Sequence, residues 1–254
     1  YNSIMNTYRY DGGSEFPYQY KYQHAAITAD CVVFSFDGKK LKVLLIKRGN
    51  EPYKNKWAFP GGFLKMDETV EECARRELNE ETSLTPTFLE QLNVFSMPGR
   101  DPRERVISIA YIALAKETYV KGGDDASEAR WFEMDNLPAL AFDHSQIMDA
   151  ALSRLKKTIH FKPVGFDMMP DVFTCPDLQR LYEAVLGVKL DRRNFLKKMM
   201  SLGLLERIED IHREKNIILE SGAQRARAPR IPIKYKFNLN KYNELKENGF
   251  RLEF

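Results

Sequence analysis

Cysteine and histidine are scarce in this 254-residue chain. Cys31, Cys73 and Cys175 are odd in number, far apart and without CxxC spacing, and His24, His144, His160 and His212 are scattered. That pattern argues against a disulfide framework and a Cys/His zinc site, and the thiols are expected to be reduced and buried, in a cytoplasmic protein. No Ser/His or Cys/His nucleophile pairing is visible. No apolar run approaches the ~18 residues that a membrane span needs, and no basic leader precedes an apolar stretch, so neither membrane insertion nor secretion is expected. Against these absences, 43% apolar residues suffice for a core and 30% charged residues for a polar surface. The length suits two domains better than one.

What the chain has in quantity is carboxylate. The stretch PGGFLKMDETVEECARRELNEETSL, residues 60–84, places seven acidic side chains between positions 67 and 81, with Arg75 and Arg76 among them. Thr69 followed three residues later by Glu72 is a capping-box signature, which predicts a helix from Val70. Val70, Ala74 and Leu78 recur every four residues as a stripe for a core. Glu77, Glu80 and Glu81 stand at i, i+3 and i+4 and share another side of that helix. Arg76, four residues before Glu80, can pair with it. Such a run is either a solvated, charge-laced face or an oxygen cluster for a hard divalent cation. Repulsion at this spacing raises the carboxylate pKa values unless a cation sits among them. The helix alone leaves both readings open.

The spacing goes further. Gly62, Glu68, Arg76, Glu77, Leu78, Glu80, Glu81 and Leu84 resemble the Nudix box, G-x5-E-x7-R-E-U-x-E-E-x-G-U with U apolar. Ser83 departs from it, because the family has glycine there to end the helix in a left-handed turn. The resemblance implies an α/β Nudix fold, a mixed sheet with helices on its faces. It also implies Mg2+ or Mn2+ held by Glu77, Glu80, Glu81 and the Gly62 carbonyl. The implied substrate is a nucleoside diphosphate-linked compound, cut by a water that Glu77 or Glu81 deprotonates. Glu68 and Arg76 complete that catalytic group by tying loop to helix. Arg48, Arg100, Arg103 and Arg105 are candidate substrate partners, since guanidinium groups bind diphosphate bidentately. For each arginine alone, a surface ion pair is the simpler explanation. Trp57 and Phe59 either stack a base or pack in the core, with the core favoured. Glu104 and Glu128 are candidates for a further carboxylate outside the box, and His144 reads as a capping or packing residue.

Around the box, ITADCVVFSF and KLKVLLIKR read as strands joined by an Asp37-Gly38 turn. LEQLNVFSM, RVISIAYIALA and EARWFEM read as three more, before a helix near residues 144–158. The expected organisation is a Tyr-rich N-terminal arm (1–25), a Nudix domain (26–160), a small winged helix-turn-helix domain (161–241) and a C-terminal tail (242–254). In the third segment Thr174 can cap a helix that Gly187 stops, and Asp191 can cap a basic helix that Gly203 stops. LLERI and IPIKYKFN then flank a polar loop, as strands of a wing. Residues 160–254 hold 18 Lys/Arg against 13 Asp/Glu, a balance of +5 that leaves −2 for the rest. A basic end suggests a polyanion partner, with a solvated basic surface as the simpler alternative. If the partner is double-stranded DNA, its candidate contacts are Arg192, Arg193, Asn194, Lys197 and Lys198 on the basic helix and Arg225, Arg227 and Arg230 on the wing.

The order of the two halves, with VFTCPDLQRLYEAVLGVKLDRRNFLKKMMSLGLLE in the second, resembles the Nudix-related transcriptional regulators. PGRDPRERVISIAYIAL and LPALAFDH are similar to that family and to its ADP-ribose pyrophosphatase relatives. The resemblance implies a homodimer in which a nucleotide-binding domain controls DNA binding. ADP-ribose is the effector it suggests, and hydrolysis of that effector is compatible with regulation. A non-catalytic repressor that senses ADP-ribose or a sugar is the alternative.

Overall fold

The computed structural model describes residues 22–123, 126–162, 164–208 and 232–248. The Tyr-rich arm up to residue 21 and the expected wing contacts Arg225, Arg227 and Arg230 lie outside them. Strands β1 (Ala26–Phe36) and β2 (Leu41–Arg48) form the expected hairpin, with Phe36 opposite Leu41 and Gly38 at φ 91 in the turn. β3 (Trp57–Ala58) and β4 (Gly61–Phe63) bracket Phe59-Pro60 ahead of helix α1 (Val70–Thr82). β5 (Phe88–Phe95), β6 (Val106–Leu114) and β7 (Ala126–Glu133) follow, then α2 (His144–Thr158). The seven strands form one mixed sheet in the order β3-β2-β1-β6-β5, with β4 also on β1 and β7 also on β2. β1 and β6 run parallel from Ala26↔Val106 to Phe34↔Leu114. The short strands β3 and β4 had no signal of their own in the sequence.

Period-2 alternation makes β1 the centre of three layers. Ala29, Cys31 and Val33 face Cys73, Ala74 and Leu78 of α1. Val32 and Phe34 face the opposite layer, with Ile147, Ala151 and Leu155 of α2. Both faces are covered, so β1 reads as a nearly unbroken apolar run. A polar residue on it therefore stands out.

Beyond α2 come α3 (Gly165–Met168), β8 (Phe173–Thr174), α4 (Cys175–Leu186), α5 (Arg192–Ser201), β9 (Leu205–Ile208) and β10 (Lys234–Phe237). The three strands pair antiparallel in the order β8-β10-β9, so helix, strand, two helices and a two-stranded wing are in place. Thr174 caps α4 through a capping box with Asp177, and Gly187 ends it at φ 74. Phe173, Leu178, Tyr182, Phe195 and Tyr235 join the same core cluster as Phe34 and Ile147. The packing is thus continuous across position 160. Arg180 also donates to the Gly38 carbonyl at 2.9 Å, and Thr87 to Asp167 at 3.0 Å. Past position 241, where only a tail was expected, helix α6 (Leu239–Asn248) continues, with Asn238 accepting the Lys241 amide at 2.8 Å.

Candidate functional site

Helix α1 begins at the Thr69–Glu72 capping box and ends at Ser83, which adopts φ 62, ψ 17. Serine therefore takes the left-handed turn that the family reserves for glycine. The repulsion expected on this helix is answered by one side chain. Arg76 donates to Glu68 at 2.8 and 2.6 Å, to Glu77 at 2.6 Å and to Glu80 at 3.0 Å. Its guanidinium, with the Lys65 amide, lowers the Glu68 pKa to about 2. Glu81 is buried and accepts the Gly61 amide at 2.9 Å. A Cβ on Gly62 would fall inside the Glu77 carboxylate, so only glycine lets β4 approach α1 here.

Glu77 and Glu81 face one cavity, together with Gly61, Phe63, Arg48 and Arg103. Glu80 does not line it; its side chain is 40% exposed and paired with Arg76. Among the described residues no three His, Cys, Asp or Glu side chains converge as a ready-made metal group. The expected trio is thus two carboxylates inside and one outside. Two carboxylates beside the closely apposed glycine backbone form an all-oxygen donor set. That set fits a hard divalent cation that retains several waters.

A second cavity adjoins the first across Arg48, Gly61 and Arg103. It is lined by Thr28, Asp30, Phe59, Arg100, Phe142 and His144 as well. Arg48 donates to the Pro52 carbonyl at 2.8 Å and lies 4.9 Å from the Phe142 ring. Arg103 pairs with Asp101 at 3.0 and 2.7 Å and stacks over Phe63 at 4.9 Å. Burial disfavours the charged form of Asp101, but Arg103 outweighs it and holds the carboxyl below its ordinary value. Arg100 is buried and doubly bonded to Asp143 at 2.9 and 2.7 Å, so it clamps the 97–103 segment to the start of α2. It also lines the second cavity, with its guanidinium engaged in that clamp.

Other expected contacts are not brought here. Arg105 is exposed and lines neither cavity; nor do Glu104 and Glu128. Trp57, half-buried against the core, packs edge-on on Phe132 at 4.6 Å and lines neither cavity. Phe59 is buried but reaches the second cavity, stacked on His144 at 5.0 Å.

Sequence reasoning missed Asp30, Phe142, Asp143 and the polar role of His144. Asp30 had a signal, a lone carboxylate inside an apolar strand. It is buried, accepts from Ser108 and lies 3.5 Å from the Thr28 hydroxyl. His144 is packed as expected, yet its Nδ1 accepts the Phe59 amide at 3.0 Å. The proton therefore sits on Nε2, and burial lowers the pKa, keeping the ring neutral. Phe142 carries φ 52, a left-handed backbone that costs a bulky residue about 1–2 kcal/mol. Tyr53, 4.7 Å away edge to face, holds it there.

The other charged surface is α5. Asp191 caps it, accepting the Asn194 amide at 2.8 Å, while Phe195 and Met199 turn inward, Phe195 5.3 Å from Tyr182. Arg192, Arg193, Asn194 and Lys197 are exposed and Lys198 is half-buried.

A NUDIX domain model matches residues 24–153, and a model of the NrtR DNA-binding winged helix domain matches residues 165–217. An "ADPR responsive transcriptional repressor NtrR" of Acinetobacter baylyi is 33% identical over 190 residues, 73% of this chain and 76% of that protein. An ADP-ribose pyrophosphatase of Methanocaldococcus jannaschii is 48% identical over 127 residues, 50% of this chain and 73% of that one. The structure of Shewanella oneidensis NrtR with a 27mer DNA superposes with TM-score 0.68 at 27% identity, over 89% of this chain and 99% of that one. With its box helix in place and its winged helix attached, the chain belongs to the Nudix family, in the NrtR-type arrangement of a Nudix domain followed by a DNA-binding winged helix domain.

Proposed function

We propose that the chain is a DNA-binding transcriptional regulator whose Nudix domain binds ADP-ribose and hydrolyses its diphosphate. The observation that carries this reading is the shared cavity wall: Glu77 and Glu81 on one side, Arg48 and Arg103 on the other. Glu77, Glu81 and the Gly62 carbonyl are the groups that would hold Mg2+ or Mn2+. When bound, such an ion supplies charge neutralisation and a more acidic water. Arg48 and Arg103 orient the diphosphate, with Phe63 and Phe142 beneath their guanidinium planes. Glu77 or Glu81 takes the proton of the attacking water. Glu68 and Glu80 act through Arg76, which fixes the rotamer of Glu77. Ser83 keeps the helix end left-handed, so its departure from the box displaces neither Glu77 nor Glu81, and hydrolysis is preferred over sensing alone.

At the other end, α5 enters the major groove with Arg192, Arg193 and Asn194 reading base edges, while Lys197 and Lys198 meet phosphates. Arg225, Arg227 and Arg230 extend that contact from the wing. A two-fold dimer places half-sites about one or two helical turns apart. The ADP-ribose names of the relatives and the DNA-bound neighbour support both halves of the reading.

Two assays test it: AMP release from ADP-ribose with Mg2+, and anisotropy titration of upstream DNA fragments with and without ADP-ribose. Ligand-dependent preference for one duplex over random DNA is the expected result. No such preference at physiological salt would remove the regulator half, and binding of ADP-ribose without AMP release would leave a sensor.

A further inference from the structure

Resting on the ligand site just proposed, the second cavity holds two polar atoms for which no hydrogen-bond partner is found among the described residues. His144 accepts through Nδ1, so its Nε2 carries a hydrogen, and Asp30 Oδ1 faces that nitrogen from 3.9 Å. That is too far for a hydrogen bond. The Asp30 bonds to Ser108 and Thr28 both fall on Oδ2, and Arg100 also approaches that oxygen, at 4.0 Å. Among the described residues no donor reaches Oδ1. Gly61 leaves it uncovered, since a Cβ there would stand 2.8 Å away. Both side chains are buried, Asp30 at 7% and His144 at 3% exposure, so the open donor and the open acceptor face a confined space.

A group that fills this gap must accept from Nε2–H and donate to Oδ1 at once. A hydroxyl does both with a single oxygen; a phosphate oxygen would meet the Asp30 carboxylate with like charge, and an apolar group would leave both atoms unpaired. We infer that Asp30 and His144 form a specificity site that reads a sugar hydroxyl on the part of the ligand beyond the diphosphate. The placement is consistent: Arg48, Gly61 and Arg103 line both this cavity and the one holding Glu77 and Glu81, so a diphosphate held at the arginines would have one of its two substituents here. The preferred ligand class is therefore a nucleoside diphosphate ending in a free hydroxylated sugar. A water can bridge the same two atoms in the free protein, and a hydroxyl replaces it without loss of either bond.

The test compares two probes on the full chain by calorimetry, with EDTA present so that neither is turned over. ADP-ribose carries the sugar and ADP lacks it. ADP-ribose is expected to bind about tenfold or more tightly than ADP, the order expected for hydrogen bonds to a charged group. Asp30→Asn and His144→Gln should each pull that ratio towards one. The ratio is the readout because misfolding or weakened diphosphate binding moves both ligands alike. A ratio near one in the unaltered protein, or a ratio that survives both substitutions, overturns the inference and leaves water as the occupant. If neither probe binds with EDTA, nor with Ca2+ in place of EDTA to restore charge neutralisation, the nucleotide-site reading itself falls, and the inference with it. Should Asp30→Asn not fold, the unaltered protein and His144→Gln still decide.

Discussion

Helices α1 and α5 are both capped by a side chain, Thr69 in one and Asp191 in the other, and both send an apolar stripe into a core. They differ in what their charges meet. On α1, Arg76 is hydrogen-bonded to Glu68, Glu77 and Glu80, and Glu81 is bonded to the Gly61 amide. On α5, no ion pair within the described residues engages Arg192, Arg193 or Lys197. Charges already satisfied inside the fold are held in fixed positions, as chemistry requires. Exposed cations facing water keep their full attraction for a polyanion. On the function proposed above, the same local architecture serves positioning in one domain and recognition in the other.

The sharpest break in that comparison comes from α1. Glu81→Gln removes a charge and little volume, and an amide oxygen can still accept from Gly61. AMP release from ADP-ribose is expected to fall by about 100-fold or more, the scale of losing a ligand-holding or proton-accepting group. Far-UV circular dichroism should be unchanged. Undiminished turnover at saturating Mg2+ would falsify the assignment.

On α5 the expected effect is smaller and appears only with DNA. Arg193→Ala should weaken operator binding by roughly 1–3 kcal/mol and relax preference at one base position. Lys197→Ala should weaken all sequences alike and reduce the salt slope by about one. If Arg193→Ala instead loses affinity equally for every duplex, its contact is with phosphate and the recognition role is misassigned.

Legibility in the sequence depends on whether a residue's role is local. Thr69, Ser83, Thr174, Gly187 and Asp191 do their work within a few residues of themselves. Each cap or stop is therefore legible as spacing. The carboxylate helix is legible for the same reason. Asp30, Asp143 and His144 are different: their roles come from β1, the 97–103 segment and α2 meeting in space, with partners more than forty positions apart. Arg100 shows the limit from the other side. Its residue type suggests a diphosphate partner, and only its geometry reveals the clamp on Asp143. Trp57, for which the sequence favours packing, lies half-buried against the core. The short strands β3 and β4 have too few residues to show a period.

His144 supplies a test by pH that α5, with no buried titratable group, does not share. Burial lowers its pKa below the ordinary 6.5. The unfolded chain therefore binds the proton more readily than the folded one. Its contribution to stability is complete above the unfolded value and declines as pH falls from there towards the folded value. Midpoints of urea unfolding should drop across that window in the unaltered protein and less so in His144→Gln. Equal slopes in the two would mean that the imidazole is not held neutral.

The smallest expected effect lies at the end of α1. Ser83 sits at φ 62 with its amide bonded to the Asn79 carbonyl at 2.8 Å. It is exposed, and among the described residues its hydroxyl makes no hydrogen bond. A left-handed backbone costs an L-residue about 1–2 kcal/mol, which glycine avoids. Glycine also gains freedom in the unfolded chain, which offsets about 0.4–1 kcal/mol of that. Ser83→Gly should therefore stabilise the protein by up to about 1 kcal/mol, or a rise of a few degrees in Tm for a chain of this size. Hydrolysis should be unaffected, since Glu77 and Glu81 keep their positions whichever residue makes the turn. Thermal unfolding of the two proteins side by side checks it. A clear loss of stability would show that the serine hydroxyl holds a contact that glycine cannot replace, and that the departure from the box is itself functional.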